Sequence, residues 1–398
     1  MIVRKLRPDE KLKAEILQAT AFNYSYDAAE HRGELLDTEA WGAFWDDGET
    51  LASMMYPITY ESRFGDAYIP VLGIGGVATH PQYRRAGGIR AIFRQLFSAS
   101  AERGWAASYL YPFSFAYYRK FGYERVLSRK EIRIGCEVLS RIPRNTSAVL
   151  YEDPEQLPVL LDVYHRYARQ MQIIFRRSTE RSSGAYSANP HKSLKYTYIW
   201  RDAEQQAQAY ANCRIRDGWL CVEELCYTSP ESLLGILGFL RMYEGQVDGF
   251  HFTNLPEDTP LDFLMDNYCD VEYSLHSFAM GRVLLPEILF AAHTYPDAVS
   301  GAFRILVTEP DVSSGAAGVY DICYTGGKGS VHRLPMNSAD SADIVCSVDA
   351  LSRIMLGGAA LTPEAARYIP GIEIRNREGA AAFCRAFPHR SVCLYTSF

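Results

Sequence analysis

A pair of arginines followed by a pair of glycines stands out in the run Val71-Leu-Gly-Ile-Gly-Gly-Val77-Ala-Thr79-His-Pro81-Gln-Tyr83-Arg84-Arg85-Ala86-Gly87-Gly88-Ile89-Arg90. The residue types suit an anion. A strand leads through a basic, glycine-containing turn into a helix, and a helix N-terminus offers unpaired N–H groups and a partial positive charge. Gly87 and Gly88 let a backbone come close to a pyrophosphate, Arg84 and Arg85 can neutralise it, and Arg90 can reach back from the next turn. The run is neither G-x-x-x-x-G-K-[ST] nor G-x-G-x-x-G, so it is not a P-loop or a dinucleotide fingerprint. The same residues also fit a solvated turn with exposed arginines.

A second run follows: Tyr109-Leu-Tyr111-Pro112, then Ala116-Tyr117-Tyr118-Arg119-Lys120-Phe121-Gly122-Tyr123. A strand followed by a short helix ending aromatic-Gly-aromatic resembles the second half of the signature of GNAT acetyltransferases. Arg84 and Gly87 match the first two fixed positions of that superfamily's R-x-x-G-x-G/A pyrophosphate loop, and Ile89 stands at the third. The form P-x-Y-R-R-x-G-x-x-R, with a length near that of this chain and a C-terminal Phe, resembles the Eis-like (enhanced intracellular survival) branch.

That resemblance implies acetyl-CoA as acyl donor. The strand edge Val77, Ala78 and Thr79 would pair with the pantetheine arm, and the turn Arg84, Arg85, Ala86, Gly87, Gly88, Ile89 and Arg90 would hold the pyrophosphate. Tyr118 falls at the family's general acid; the alternative is an aromatic core residue beside Tyr117, and the motif position favours the acid. The carboxylate of Phe398 falls at the family's general base, and the extended, apolar end Val392–Phe398 suits that role better than the other reading, an ordinary closing strand. Acyl transfer to an amine needs the amine deprotonated, the oxyanion stabilised and the thiolate protonated. Tyr24, Tyr26, Asp37 and Trp41 lie where GNAT folds build the acceptor wall; aromatic faces and carboxylates suit an amine through cation–π contact and ion pairing.

The elements that must position these groups alternate. Strands are expected at Ile2–Leu6, Thr50–Tyr60, Ala67–Ala78, Ala106–Tyr111 and Arg125–Ile134. Ile89, Ile92, Phe93, Leu96 and Phe97 recur at i, i+3, i+4, i+7 and i+8, one apolar helix face. The fold class is α/β (α+β). Three regions are read: 1–147, an N-terminal GNAT domain; 148–284, a degenerate second GNAT domain without arginines or paired glycines after its strand Glu223–Tyr227; and 285–398, resembling a sterol-carrier-protein-like domain.

Composition bounds the function classes. The 398 residues are 48% hydrophobic and 22% charged, with a formal net charge of −6. An acidic chain lacks the basic footprint of a nucleic-acid binder. Nine scattered cysteines without C-x-x-C give no support to zinc or a redox dithiol and suit a reducing cytoplasm. The charged start MIVRKLRPDEKLKAE lacks a signal peptide's apolar core, and no run is long enough to span a membrane. The expectation is a cytoplasmic acetyl-CoA-dependent N-acetyltransferase without metal, acting on a small polyamine, an aminoglycoside-like amine or a lysine side chain. It is expected to form a homo-oligomer, a hexamer by the resemblance. The alternative is a non-catalytic acyl-CoA sensor or carrier of apolar ligands.

Overall fold

The computed structural model describes residues 1–27, 39–182, 185–265, 267–358 and 361–396. By contact they divide into two compact units. The first holds Met1–Val126, Ala279–Arg390 and, near the chain's end, Thr396; the second holds Leu127–Phe278 and Ser391–Tyr395.

The first unit opens with β1 (Ile2–Lys5) and α1 (Lys11–Phe22), which stops at Asn23 in the left-handed conformation, φ 56°. β2 (Trp41–Phe44) pairs antiparallel with β1 and with β3 (Leu51–Phe64). This strand is not apparent from local pattern, where Trp41 reads as part of an acceptor wall. β3 and β4 (Ala67–Thr79) form a long hairpin that turns at Gly65, φ 59°. A helical crossover, α2 (Gly88–Ser98) and α3 (Ser100–Arg103), returns the chain to β5 (Ala107–Leu110), parallel to β4. α4 (Phe115–Arg119) follows, capped by Ser114, whose Oγ accepts from the Tyr117 N–H at 3.3 Å.

The helix face expected from the spacing is the one buried. Ile92 and Phe93 of α2 are fully enclosed, and with Ile89, Leu96 and Phe97 they pack on Leu72, Ile74, Leu110, Phe121 and Tyr123. At ~25 cal/mol per Å² of apolar surface, each large side chain contributes roughly 1.5–3 kcal/mol to holding α2 against the sheet.

β6 (Glu124–Gly135) leads into the second unit, which continues with β7 (Ala148–Leu150), α5 (Leu157–Ala168), β8 (Ile173–Phe175), α6 (Thr179–Ser182), α7 (Pro190–Ser193), β9 (Tyr196–Arg201), β10 (Ala207–Arg216), β11 (Trp219–Tyr227), α8 (Pro230–Leu240) and β12 (Gly249–Leu255). β9, β10 and β11 are antiparallel neighbours, β11 and β12 are parallel, and β12 pairs antiparallel with β6. The plan strand–helix–parallel strand therefore recurs.

β13 (Val271–Val283) is a long strand the alternation does not reveal, and its Met280–Val283 pair antiparallel with β5. After α9 (Pro286–Ala292) the first unit adds β14 (Gly301–Thr308), β15 (Gly318–Thr325), β16 (Lys328–Leu334), β17 (Ile344–Ser347), α10 (Val348–Gly357), α11 (Pro363–Ala366), β18 (Ile372–Ile374) and α12 (Arg377–Ala386). These strands form a separate sheet in the order β16-β15-β14-β17-β18. α12 packs on β14, with Phe383 edge-on to Phe303 at 5.3 Å.

Candidate active site

β4 and β5 pair only from Val71–Ala107 to Ile74–Leu110. Beyond Ile74, β4 runs on to Thr79 while β5 ends, so the β5-facing edge of Gly75–Thr79 has no strand partner among the described residues. A bulge lies here: between the pairs Met54–Ala78 and Tyr56–Gly75, one residue of β3, Met55, faces two of β4, Gly76 and Val77, and Gly76 takes φ 56°.

The turn after β4 is basic and open to solvent. His80 Nδ1 accepts from the Gln82 N–H at 3.3 Å, closing the tight turn Pro81–Tyr83. Arg85 and Gly87 then adopt positive φ, 67° and 87°. Arg84, Arg85, Ala86 and Gly87 are exposed, and neither arginine has an acidic partner among the described residues. The N–H groups of Gly87, Gly88, Ile89 and Arg90 likewise find no acceptor there. The two glycines differ in what they permit. A Cβ on Gly87 would meet nothing within 4 Å, whereas one on Gly88 would fall 2.4 Å from Ser53 Oγ. Gly87 keeps the turn open to a ligand, and Gly88 lets α2 lie against β3. Ile89 is buried in the core, and Arg90 lies 3.7 Å from Asp311 and over the Phe121 ring at 5.4 Å. Free N–H groups, two unpaired arginines and an open glycine fit the diphosphate of coenzyme A.

A cavity of about 580 Å³ adjoins the unpaired edge, lined by Gln18, Phe22 and Tyr24, by Tyr56, Ile58 and Tyr60 of β3, by Ile74–Val77, and by Tyr111, Phe113 and Tyr118. The sequence-derived Val77, Tyr24 and Tyr118 thus meet around one space. Ala78 pairs with Met54, and Thr79 pairs with Ser53, their hydroxyls 2.9 Å apart. Tyr26 and Trp41 do not line the cavity. Trp41 lies on β2 and donates its indole N–H to Glu39 at 2.7 Å. Asp37 and Phe398 fall outside the described residues.

Tyr118 is 2% exposed, and its hydroxyl makes no hydrogen bond among the described residues. Burial, reinforced by Tyr117 and Tyr123, pushes the phenol above its ordinary pKa. Such a phenol stays protonated until a comparably desolvated base reaches it. Tyr111 donates its hydroxyl to the backbone carbonyl of Thr396, which brings the chain's last described residue to the cavity wall. Tyr56 donates to Glu15 at 3.2 Å, and burial followed by that carboxylate raises its pKa. Local reading did not single out Tyr56, Ile58 or Tyr60. Their alternation at i, i+2, i+4 along β3 is the signal that places them on one face. No lysine, arginine or histidine lines the cavity among the described residues.

In the second unit the matching turn, Thr228-Ser229-Pro230, carries no arginine. Ser229 caps α8, accepting from the Ser232 N–H at 3.2 Å, and Pro230 has no N–H to offer. The adjoining cavity, about 610 Å³, is walled largely by apolar groups such as Tyr227, Leu233, Leu234 and Phe263.

Residues 2–126 match one family described as an acetyltransferase (GNAT) domain, and residues 174–283 match another family of the same description. The chain is a GNAT-family acetyltransferase. Both GNAT domains include a parallel strand pair, β4 with β5 and β11 with β12, and only the first has the basic turn. Among solved structures the fold is similar to that of an Enterococcus faecalis protein described as a probable N-acyltransferase, 22% identical over 100% of this chain and 99% of that one, TM-score 0.87. It is also similar to a GCN5-related N-acetyltransferase from Anabaena variabilis, 18% identical over the whole of both chains, TM-score 0.84. Eis1 from Mycobacterium abscessus is 21% identical over the whole of both chains, TM-score 0.80. No curated protein matches the chain by sequence. No helix among the described residues is long and apolar enough to cross a membrane, and no group of three His, Cys, Asp or Glu there could hold a metal ion.

Proposed function

We propose that the chain is an Eis-like N-acetyltransferase that moves an acetyl group from acetyl-CoA to a primary amine within its first GNAT domain. One observation carries the reading: the unpaired edge of β4 and the free Tyr118 hydroxyl line one cavity, and the same strand runs on through Thr79 into the basic turn whose N–H groups at the start of α2 are unbonded. Acetyl-CoA, when bound, supplies the activated thioester.

The N–H groups of Gly87, Gly88, Ile89 and Arg90, with Arg84 and Arg85, hold the diphosphate, and Ala86 is part of the same turn. Val77, Ala78 and Thr79 offer backbone groups to the pantetheine. Tyr118 holds the proton that the departing thiolate takes, and the Phe398 carboxylate accepts the proton of the amine. Tyr111 supports this last role by holding Thr396 at the cavity wall. The acceptor enters between Tyr24, Tyr56, Tyr60 and Phe113, whose ring faces attract an ammonium group. Tyr26, Asp37 and Trp41 remain proposed outer members of that wall. Polyamines, aminoglycoside-like amines and lysine side chains are the acceptors to try.

The domains are read as 1–147, 148–284 and 285–398, the second without a cofactor site and the third, with sheet β14–β18, sterol-carrier-like. The compartment is read as cytoplasmic, which nine free cysteines suit, and the assembly as a homo-oligomer, six-membered as in the family resembled. The decisive assay incubates the protein with acetyl-CoA and a panel of these amines and follows free thiol. Thiol release that depends on the amine supports the enzyme. Binding of acetyl-CoA without release from any amine would establish the sensor or carrier instead.

A further inference from the structure

Arg282, near the end of β13, is fully enclosed. Its Nη2 donates to Glu309 Oε1 at 2.8 Å and to the Val312 carbonyl at 2.7 Å, its Nη1 donates to the Phe121 carbonyl, and the guanidinium lies 4.3 Å from the centre of the Phe97 ring. Glu309, whose side chain is enclosed, also accepts from Ser313 Oγ at 2.7 Å and from Ser314 N, Ser314 Oγ and Ala317 N, each at 2.9 Å. Burial would raise its pKa, but these donors and Arg282 hold the carboxyl below the ordinary range. Enclosing two charges costs desolvation that well-packed apolar side chains of like volume would avoid. What the pair contributes is direction: a fixed donor aimed at one backbone carbonyl.

That carbonyl belongs to the turn that ends α4. Phe121 N donates to the Tyr118 carbonyl at 2.9 Å, and Tyr123 N reaches the same carbonyl at 3.4 Å. Gly122 bends the turn with φ 76°, and a Cβ there would lie 3.3 Å from Arg282 Cζ and 2.8 Å from Val348 Cγ1. Tyr123 closes the other side through Ser108, the hydroxyls 2.7 Å apart, and Ser108 is the register partner of Arg282 in β5. The backbone of Tyr118 is therefore tied to a turn that Arg282 holds from below, with the 309–317 loop supplying the counter-charge.

We propose that Arg282, oriented by Glu309, is a positioning residue for the Tyr118 hydroxyl. The inference rests on the acid role assigned to Tyr118. A guanidinium reaches Phe121, Glu309 and Val312 at once; a lysine ammonium in its place keeps the charge but loses the fork that fixes three directions.

The test is a double-mutant cycle on the full chain, with acetyl-CoA and whichever amine gives thiol release, and with the melting temperature of each variant measured. Arg282→Lys is expected to lower kcat about tenfold, since small misplacements at a reacting centre are costly, and to leave KM for acetyl-CoA within about twofold. In Tyr118→Phe the same substitution should cost nothing further, because the group it positions is gone. Losses that multiply, or a wild-type kcat in folded Arg282→Lys, would overturn the proposal. Should Arg282→Lys fail to fold, Glu309→Gln, which keeps the shape and an acceptor oxygen, is taken through the same cycle with the same outcomes expected. Collapse of both variants beside a folded Tyr118→Phe would mark the pair as structural alone and reject positioning. An unchanged kcat in Tyr118→Phe by itself would reject the acid assignment, a result distinct from multiplying losses.

Discussion

Tyr111 and Thr396 stand 285 positions apart in the chain, and the hydroxyl of one donates to the backbone carbonyl of the other. Both belong to the first unit, so the end of the chain is joined to the wall of the cavity that Tyr118 lines. If the Phe398 carboxylate is the base, this bond fixes the described residue nearest to it in the chain. Tyr111→Phe should lower kcat by about fivefold, the worth of one neutral hydrogen bond of ~1 kcal/mol. A few residues appended after Phe398 should lower it by ~10²-fold or more, the scale of general-base catalysis. Initial rates of thiol release decide both; full activity in the extended protein would remove Phe398 from the mechanism.

Tyr118→Phe separates catalysis from packing. The hydroxyl makes no hydrogen bond among the described residues while the ring is enclosed by Tyr117, Phe113 and Tyr123, so the melting temperature should hardly move. The expected change is in kcat alone, down ~10²-fold as for the loss of a general acid, with KM for acetyl-CoA unchanged.

Arg84→Ala and Arg85→Ala should act in the opposite way. A charge-assisted hydrogen bond to phosphate contributes ~1.5–3 kcal/mol, so each substitution should raise KM for acetyl-CoA about tenfold or more, with kcat preserved. Arg90→Ala should cost less, because Arg90 already faces Asp311 and Phe121. Titration calorimetry with coenzyme A checks the order.

Gly87 and Gly88 should fail differently when substituted by Ala. At Gly88 the new methyl meets Ser53 Oγ at 2.4 Å, so α2 must shift, with a loss of ~1–3 kcal/mol seen in denaturant unfolding. At Gly87 there is space, but φ is 87°, and the strain costs ~1–2 kcal/mol. Only the second also places a methyl beside the proposed phosphate site.

His293 gives the first unit an acid-side weakness. Its Nε2 lies 2.8 Å from the Ala386 carbonyl, so the neutral ring donates there, and its Nδ1 is buried without a partner. Burial lowers its pKa from 6.5 to about 4, outweighing the Ala386 bond. Between those values the unfolded chain binds a proton that the folded one refuses. The stability is therefore complete above about pH 6.5 and is lost as pH falls toward 4, by about 3 kcal/mol in all. Melting temperatures across that range should decline in the wild type and flatten in His293→Phe.

Local physics made much of this protein legible in its sequence. A helix face repeats every few residues, so Ile89, Ile92, Phe93, Leu96 and Phe97 announce α2 without knowledge of its partner. A turn is written in its own glycines and charges, so Arg84–Gly88 read as an anion-binding turn, and the aromatic-Gly-aromatic run after α4 resembles a GNAT signature; both belong to the proposed site. Tertiary structure decided what depends on distant segments: that Trp41–Phe44 is a strand between β1 and β3, that Tyr56 and Tyr60 share a wall with Tyr24 and Tyr118, and that Arg282 finds both Glu309 and the Phe121 carbonyl. These contacts have no period or motif. They exist because folding brings residues far apart in sequence into hydrogen-bond range, and a one-dimensional pattern carries no record of that distance.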